Sequence, residues 1–270
     1  MHARTALFAL ALIACGGPAT PPDVAPPPAP TPTPTTAPTT DAPPAQDAGA
    51  GGTQGATTPP ASEEPTGTPR ERLMKTHFKE TAIVRAAVIK GSLNEAVAPA
   101  EALTKMEGLG TPDKKWQPAL EALQNASKRI GQSPDIPGAA AATADIGVAC
   151  GSCHRVAGGP KVTVEAPPPV DKTIQSRMRR HVWATERLWE ALYVPSDASW
   201  KAGTDALSGD PFPKEILDKG GVHSRSAGAK FKSIVATAGA KKKIEDRAKV
   251  YASLLETCSA CHVSTGGGKK

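Results

Sequence analysis

The chain has 270 residues, 28 of them prolines, with 4% aromatic residues and a formal net charge of +6. This length suits one or two ordinary domains. Two hydrophobic cores would have few aromatic side chains to fill them. The positive charge is small and scattered, which argues against nucleic acid as a partner and favours acidic partners.

The N-terminus is typical of an exported bacterial protein. Arg4 precedes an apolar run, so we predict a signal peptide over residues 1–14, too short to span a membrane as a helix. The run ends at Cys15 in the letters LIAC, which resemble the lipobox of bacterial lipoproteins. The resemblance implies cleavage before Cys15 and lipidation of its thiol, whereas an ordinary signal peptide would leave the cysteine unmodified. We expect a lipid anchor to a membrane on the periplasmic side or in the cell envelope.

Residues 16–69 consist mainly of Pro, Thr, Ala and Gly, with almost no large apolar residue. Such a segment cannot bury enough apolar surface to offset the entropy lost on ordering. We therefore predict a disordered tether between the anchor and the folded part of the chain.

The chain repeats itself after residue 70. The letters RLMKTHF at 72–78 are matched by SRMRRHV at 176–182, which aligns two Met residues and two His residues. This spacing indicates an internal duplication. We predict a first unit over 70–158, a linker over 159–171 and a second unit over 172–264.

Each half divides into helical segments by its apolar periodicity and its cap residues. The predicted helices cover about 69–90, 92–108, 113–130 and 136 to the end of the first unit, then about 171–193, 198–207, 223–238 and 241–262. The segment at 198–207 is expected to be short and poorly formed. Strand signals are nearly absent, apart from one β-branched alternation at 161–165 in the linker. The predicted fold class is therefore all-α, with two tandem units like four-helix bundles.

Four of the five cysteines form two Cys-x-x-Cys pairs, each followed at once by a histidine: Cys150, Cys153 and His154, then Cys258, Cys261 and His262. This pattern attaches c-type haem. Residues i and i+3 share one helix face, so both thiols reach one haem edge and the following histidine ligates the iron. We predict two covalently bound haem c groups.

Zinc sites and redox-active disulfides are the alternative interpretations of these cysteines. Zinc ribbons pair their Cys-x-x-Cys units over short spans, and thioredoxin-like motifs accompany a βαβ pattern that this sequence lacks. Neither alternative explains why a histidine follows both pairs.

The position of each motif at the end of a helical unit resembles cytochrome c prime and its low-spin relatives. In that family the haem motif ends the last helix of a four-helix bundle, and the first helix faces the distal side of the iron. The resemblance therefore implies a sixth ligand from the first helix of each half. There His77 and His181 recur at matched positions, and we expect them to ligate the iron. Met74 and Met178, three residues earlier, are the alternative ligands, and an open distal face is the third possibility.

These observations predict a membrane-tethered electron carrier rather than an enzyme, since two axial ligands leave no iron position for a substrate. Its partners would be redox proteins. A gas-binding or sensing protein like high-spin cytochrome c prime is the main alternative, and a haem peroxidase is a further one. Both alternatives need an open iron.

Overall fold

All secondary structure in the described part of the chain is helical. The computed structural model describes residues 67–105, 109–209 and 212–266, and helices make up 77% of them. The predicted all-α class is confirmed for these residues, none of which lies in a strand, so the alternation at 161–165 is irregular backbone. Cys15, the predicted signal peptide and the predicted tether up to residue 66 lie outside the described residues.

Nine α-helices follow one another in the described ranges. The first half contains α1 (Pro69–Lys90), α2 (Leu93–Ala102), a short 3₁₀ helix (Lys114–Trp116), α3 (Gln117–Gln132) and α4 (Ile136–Ala157). The second half contains α5 (Ile174–Tyr193), α6 (Asp197–Ser208), α7 (Lys214–Lys219), α8 (Gly221–Ala238) and α9 (Ile244–Thr265).

Helix α1 has the bounds that the sequence predicts, because both of its ends carry strong local signals. At the start, Thr68 and Glu71 form a reciprocal capping box: the Glu71 amide donates to the Thr68 hydroxyl at 3.2 Å, and the Thr68 amide donates to the Glu71 carboxylate at 2.7 Å. At the end, Gly91 adopts the left-handed conformation with φ of 78°.

Helix α2 ends at Ala102, earlier than the expected 108. Pro99 lies inside this helix and has no amide hydrogen to donate to the preceding turn. The next amides bond three residues back, Thr104 to Glu101 at 3.0 Å and Lys105 to Ala102 at 3.2 Å, which tightens the helix into a 3₁₀ turn.

The second half differs from expectation in two helices. The expected poorly formed segment is a regular twelve-residue helix, α6, whose N-cap Ser196 hydroxyl accepts the Ser199 amide at 3.1 Å. Helix α7 has only six residues, follows Pro213 and was not predicted. Its single turn and a half is too short to show apolar periodicity.

The helices of each half pack in a closed order. In the first half α1 packs on α2, α2 on α3, α3 on α4 and α4 on α1, while in the second half the order is α5, α6, α8, α9 and back to α5. Helix α4 also packs on α5 and α9, and α1 packs on α9. A single hydrophobic core therefore runs through both halves. Among the described residues we find no helix with the length and apolar character that crossing a membrane requires.

Candidate haem-attachment sites

The first cysteine motif occupies the C-terminal turns of α4. This helix starts at the N-cap Asp135, whose carboxylate accepts the Gly138 amide at 2.9 Å, and it ends at Gly158 in a left-handed conformation with φ of 76°. Cys150 and Cys153 are therefore helical and three residues apart, so both thiols lie on one face. Each is partly exposed and unbridged.

A backbone carbonyl of the second half orients His154. The Nδ1 atom of His154 lies 2.8 Å from the carbonyl oxygen of Tyr193, the last residue of α5. A carbonyl only accepts hydrogen bonds, so Nδ1 carries the proton and donates it. In a neutral imidazole this leaves the lone pair on Nε2 free for a metal. Histidines that ligate metals are commonly held in this way.

Two glycines bring α4 close enough to α5 for this bond. A Cβ on Gly151 would lie 2.1 Å from the carbonyl oxygen of Leu192, and one on Gly147 would lie 2.7 Å from Cζ3 of Trp189. Contacts of this length are not possible for a real side chain. Gly151 is thus the first variable residue of the motif and also the residue that places His154 beside Tyr193.

Burial keeps the cysteines of this motif protonated in the free polypeptide. It raises the pKa of the Cys150 thiol to about 12 and also raises the pKa of Cys153, where the charge of Arg70 acts in the opposite direction. Zinc ligands and reactive redox cysteines are thiolates, and reactive pairs usually lie where a helix N-terminus lowers the pKa. This pair lies at a helix C-terminus, where the macrodipole disfavours an anion.

The second motif lies in the C-terminal turns of α9 and has the same local geometry. Helix α9 ends at Gly266 with φ of 70°. Burial raises the pKa of Cys258 to about 12, while Cys261 is 5% exposed and its sulfur lies 3.6 Å from the hydroxyl of Ser224.

The two motif histidines differ in their surroundings. Burial lowers the pKa of His262, and within the described ranges its ring makes no hydrogen bond, whereas His154 is fixed by Tyr193. Among the described residues, the second Cys-x-x-Cys-His motif therefore has no counterpart of the carbonyl that orients His154.

The predicted distal histidines are both buried, and each has neighbours of its own. His77 lies on α1, where its Nε2 donates to the carbonyl oxygen of Lys105 at 3.2 Å, and burial lowers its pKa. His181 lies on α5 against two aromatic rings, stacked on Phe231 at 5.4 Å and edge-on to Phe212 at 4.9 Å between ring centroids.

The alternative distal residues lie nearer the surface. Met74 is 36% exposed, and Met178 is partly buried. One turn after Met74, Phe78 is 54% exposed and its ring lies 6.0 Å from that of Tyr193. The start of α1 therefore presents apolar side chains close to the residue that holds His154, which suits a site for a large apolar group.

An unpartnered indole near the first motif gives a further test of the fit to haem. The Nε1 atom of Trp116 is buried, with no hydrogen-bond partner in the described part of the chain. Arg70 lies over the Trp116 ring at 6.0 Å, and its charge opposes the rise in the pKa of the Cys153 thiol that burial causes. A haem carries two propionates, and a guanidinium with a free indole N–H provides donors for one. The surroundings of the first motif therefore include both the apolar side chains and the polar donors that a haem would need.

An open groove of about 650 Å³ lies beside the second motif, between α8, α9 and the start of α4. Ser259 and Ala260 line it, but the motif cysteines and His262 do not. The groove therefore lies on another face of α9 from the residues that would hold haem.

Sequence reasoning proposed the two Cys-x-x-Cys-His motifs as attachment sites and gave no indication of Tyr193 or Arg70. Tyr193 acts through its backbone carbonyl, which no residue pattern reveals, and Arg70 is one of many basic residues. No group of three or more His, Cys, Asp or Glu side chains suited to a metal ion occurs within the described ranges.

Comparison with known proteins gives no relative: no protein family, curated protein or solved structure matches this chain. The resemblance to cytochrome c prime therefore stays a prediction that rests on helix order and motif placement.

Proposed function

We propose that this protein is a dihaem c-type cytochrome that carries electrons while tethered by a lipid to a membrane outside the cytoplasm. The observation that carries the proposal is the hydrogen bond from His154 Nδ1 to the Tyr193 carbonyl at 2.8 Å. It leaves Nε2 free one residue after a pair of thiols on the same helix face. A histidine with a purely structural role would not require two cysteine thiols next to it.

The residues divide into two attachment sets. Cys150 and Cys153 would hold the first haem, with His154 as its axial ligand. Cys258, Cys261 and His262 would hold the second. Haem supplies a reversible one-electron change at iron, and the chain sets its potential through axial ligands, burial and nearby charge.

We also infer that each half is a four-helix bundle, as in cytochrome c prime. The closed packing orders of α1–α4 and of α5, α6, α8 and α9 support this assignment. In both, the motif helix contacts the first helix of the other half more extensively than it contacts the first helix of its own half. The first helix of each half carries the histidine and methionine proposed as distal ligands.

Electron transfer requires little movement at the iron, which a sixth protein ligand provides. To bind iron, His77 would have to break its hydrogen bond to the Lys105 carbonyl, and His181 would have to move away from the rings of Phe212 and Phe231. Both histidines are buried on the first helix of their half. Burial lowers the pKa of His77, so at neutral pH this side chain favours the neutral imidazole that metals bind.

A gas-binding or sensing protein is the second candidate, and one contact favours it. Because His77 Nε2 already donates to the Lys105 carbonyl at 3.2 Å, ligation through this nitrogen would break that hydrogen bond. If the bond persists in the loaded protein, the first iron has either Met74 or an open position on its distal side. Carbon monoxide separates the candidates: ready binding at both reduced haems would contradict histidine ligation and support the gas-binding function.

Haem content tests the proposal itself. The full chain, expressed in a bacterium that matures c-type cytochromes, should contain two covalent haems by mass and by its absorption spectrum. The pair substitution Cys150→Ala with Cys153→Ala should remove one haem, and Cys258→Ala with Cys261→Ala should remove the other. Cys15→Ser is the matched control and should release the protein from the membrane with both haems retained. A protein without covalent haem would overturn the proposal.

A further inference from the structure

Three aromatic side chains form a continuous row between the two cysteine motifs. Tyr193 and Trp189 lie one turn apart on α5 with ring centroids 6.1 Å apart, and Trp189 lies 5.8 Å from Tyr251 on α9. We call Tyr193, Trp189 and Tyr251 the aromatic row. It crosses from one helix to another inside the shared core.

The row starts at the first motif. The rings of Tyr193 and His154 are 6.1 Å apart, edge to face, and the His154 imidazole also donates its hydrogen bond to the Tyr193 carbonyl. A proposed iron ligand is therefore joined to the row both by ring contact and by a hydrogen bond.

The row ends close to the second motif. Tyr251 precedes Cys258 by seven residues on α9, which is two helical turns on the same face. The buried side chains of Leu254 and Leu255 occupy the helix between them.

The two members at the centre of the row are buried. Trp189 is 2% exposed and Tyr251 is 1% exposed. The indole also touches the backbone of α4 at Gly147, where a Cβ would lie 2.7 Å from the ring. Dense packing of this kind lets electronic coupling pass between neighbouring groups, whereas a gap weakens it.

We propose that the aromatic row is the electron path between the two haems, an inference that rests on the proposed function. With haem bound at both motifs, one electron would pass from the ferrous iron of one haem to the ferric iron of the other in a single tunnelling step. No side chain of the row is oxidised or reduced, and no proton moves.

The charges around the row suit this passive role. The Arg85 guanidinium lies over the Trp189 ring at 4.9 Å and forms an ion pair with Glu186. A cation on the indole face makes removal of an electron from the ring less favourable. The row therefore couples the haems without holding an electron hole itself.

A second tryptophan provides a matched control. Trp200 is equally buried, and Arg247 lies over its ring at 5.3 Å, just as Arg85 lies over Trp189. Its Nε1 donates to the carbonyl of Ala238 at 2.9 Å in the core of the second half. Within the described part of the chain its ring does not contact the aromatic row, so its loss removes a similar side chain without interrupting the path.

The test measures electron exchange within the half-reduced, full-length protein. Line widths of the haem methyl signals in NMR spectra, recorded at several dilutions, separate exchange inside one molecule from exchange between molecules. Trp189→Leu should slow the internal exchange several-fold, while both reduction potentials stay unchanged. Trp189→Phe, which keeps a ring and guards against a folding defect, should recover much of the rate. Trp200→Leu should leave it unchanged.

Different outcomes overturn different claims. If the protein holds two haems and Trp189→Leu exchanges electrons as fast as the native protein, the path is wrong and the proposed function stands. Equal slowing by Trp200→Leu would likewise overturn the path, because the effect would then be general loosening of the core. A chain that binds no haem overturns the proposed function and the path together.

Discussion

At the scale of single residues, Gly151 shows how one position serves both the fold and the site. It is a variable residue of the haem motif, so the sequence pattern alone allows any side chain there. The packing does not, since a Cβ would lie 2.1 Å from the backbone carbonyl oxygen of Leu192. Backbone atoms cannot move aside as the end of a flexible side chain does.

We expect Gly151→Ala to separate α4 from α5 and to lengthen the hydrogen bond from His154 to Tyr193. Overpacking of this kind costs roughly 1–3 kcal/mol in the free energy of unfolding. Denaturant unfolding measures the loss, and the spectrum of the first haem should change while that of the second does not.

Gly131→Ala is the control for this substitution. Gly131 lies inside α3, where the nearest atom to an added Cβ is 3.7 Å away. Alanine there should be neutral or slightly stabilising, because alanine favours helix over glycine by up to about 1 kcal/mol. If Gly151→Ala is as stable as Gly131→Ala, the close approach of α4 and α5 is not what fixes His154.

At this scale the sequence predicted the six attachment residues and left their surroundings open. Cys-x-x-Cys-His is a local pattern with a chemical meaning, so it can be read without a structure. The Tyr193 carbonyl and the unpartnered Trp116 indole are products of tertiary packing. The distal residues are an intermediate case: the repeat identified His77 and His181, but it did not predict their contacts with Lys105 and Phe231.

At the scale of helices, local signals decided which boundaries were predictable. Helix α1 matches its prediction because a capping box and a left-handed glycine mark its ends. Helix α2 ends earlier than predicted, where the backbone tightens into a 3₁₀ turn, and α7 is too short to leave a periodic signal. Sequence therefore predicts long, capped helices well and short ones poorly.

One ion pair joins the start of α6 to α9, and it predicts how the stability of the protein depends on pH. The Arg247 guanidinium is buried and bonds to the carboxylate of Asp197, which is exposed. This bond holds the pKa of Asp197 below its ordinary value of 3.8. A lowered carboxyl pKa stabilises the folded state above the ordinary pKa, and that stabilisation disappears as the pH falls through the folded pKa.

Asp197→Ala should therefore destabilise the protein at neutral pH, since it leaves a buried guanidinium without its carboxylate. The difference from the native protein should shrink as the pH falls from 3.8 through the lower pKa that Asp197 has in the folded protein, because the native side chain then also becomes neutral. Urea unfolding at a series of pH values measures this. Asp205→Ala, which breaks the exposed pair with Lys201, is the control and should have little effect at any pH.

At the scale of the whole molecule, the sequence predicted two units in tandem, and the structure joins them through one core. Helix α4 packs on α5 and α9 as well as on its own half. Arg85 of the first half is buried against Glu186 and Trp189 of the second. A duplication preserves the pattern of each unit, but it gives no information on which surfaces of the two copies came to bury one another.

This shared core predicts that the two halves unfold together. Separating the halves would expose Arg85, Trp189 and the face of α4 that carries Gly147 and Gly151. Unfolding of one half would therefore destabilise the other. Thermal or denaturant unfolding of the full chain, followed separately by helical circular dichroism and by the absorbance of each haem, should give coincident transitions. Arg85→Met keeps most of the side-chain volume and removes the charge. This variant should shift the midpoint of unfolding, and the transition should remain single. Two separate transitions in the native protein would instead show that each half is a domain in its own right.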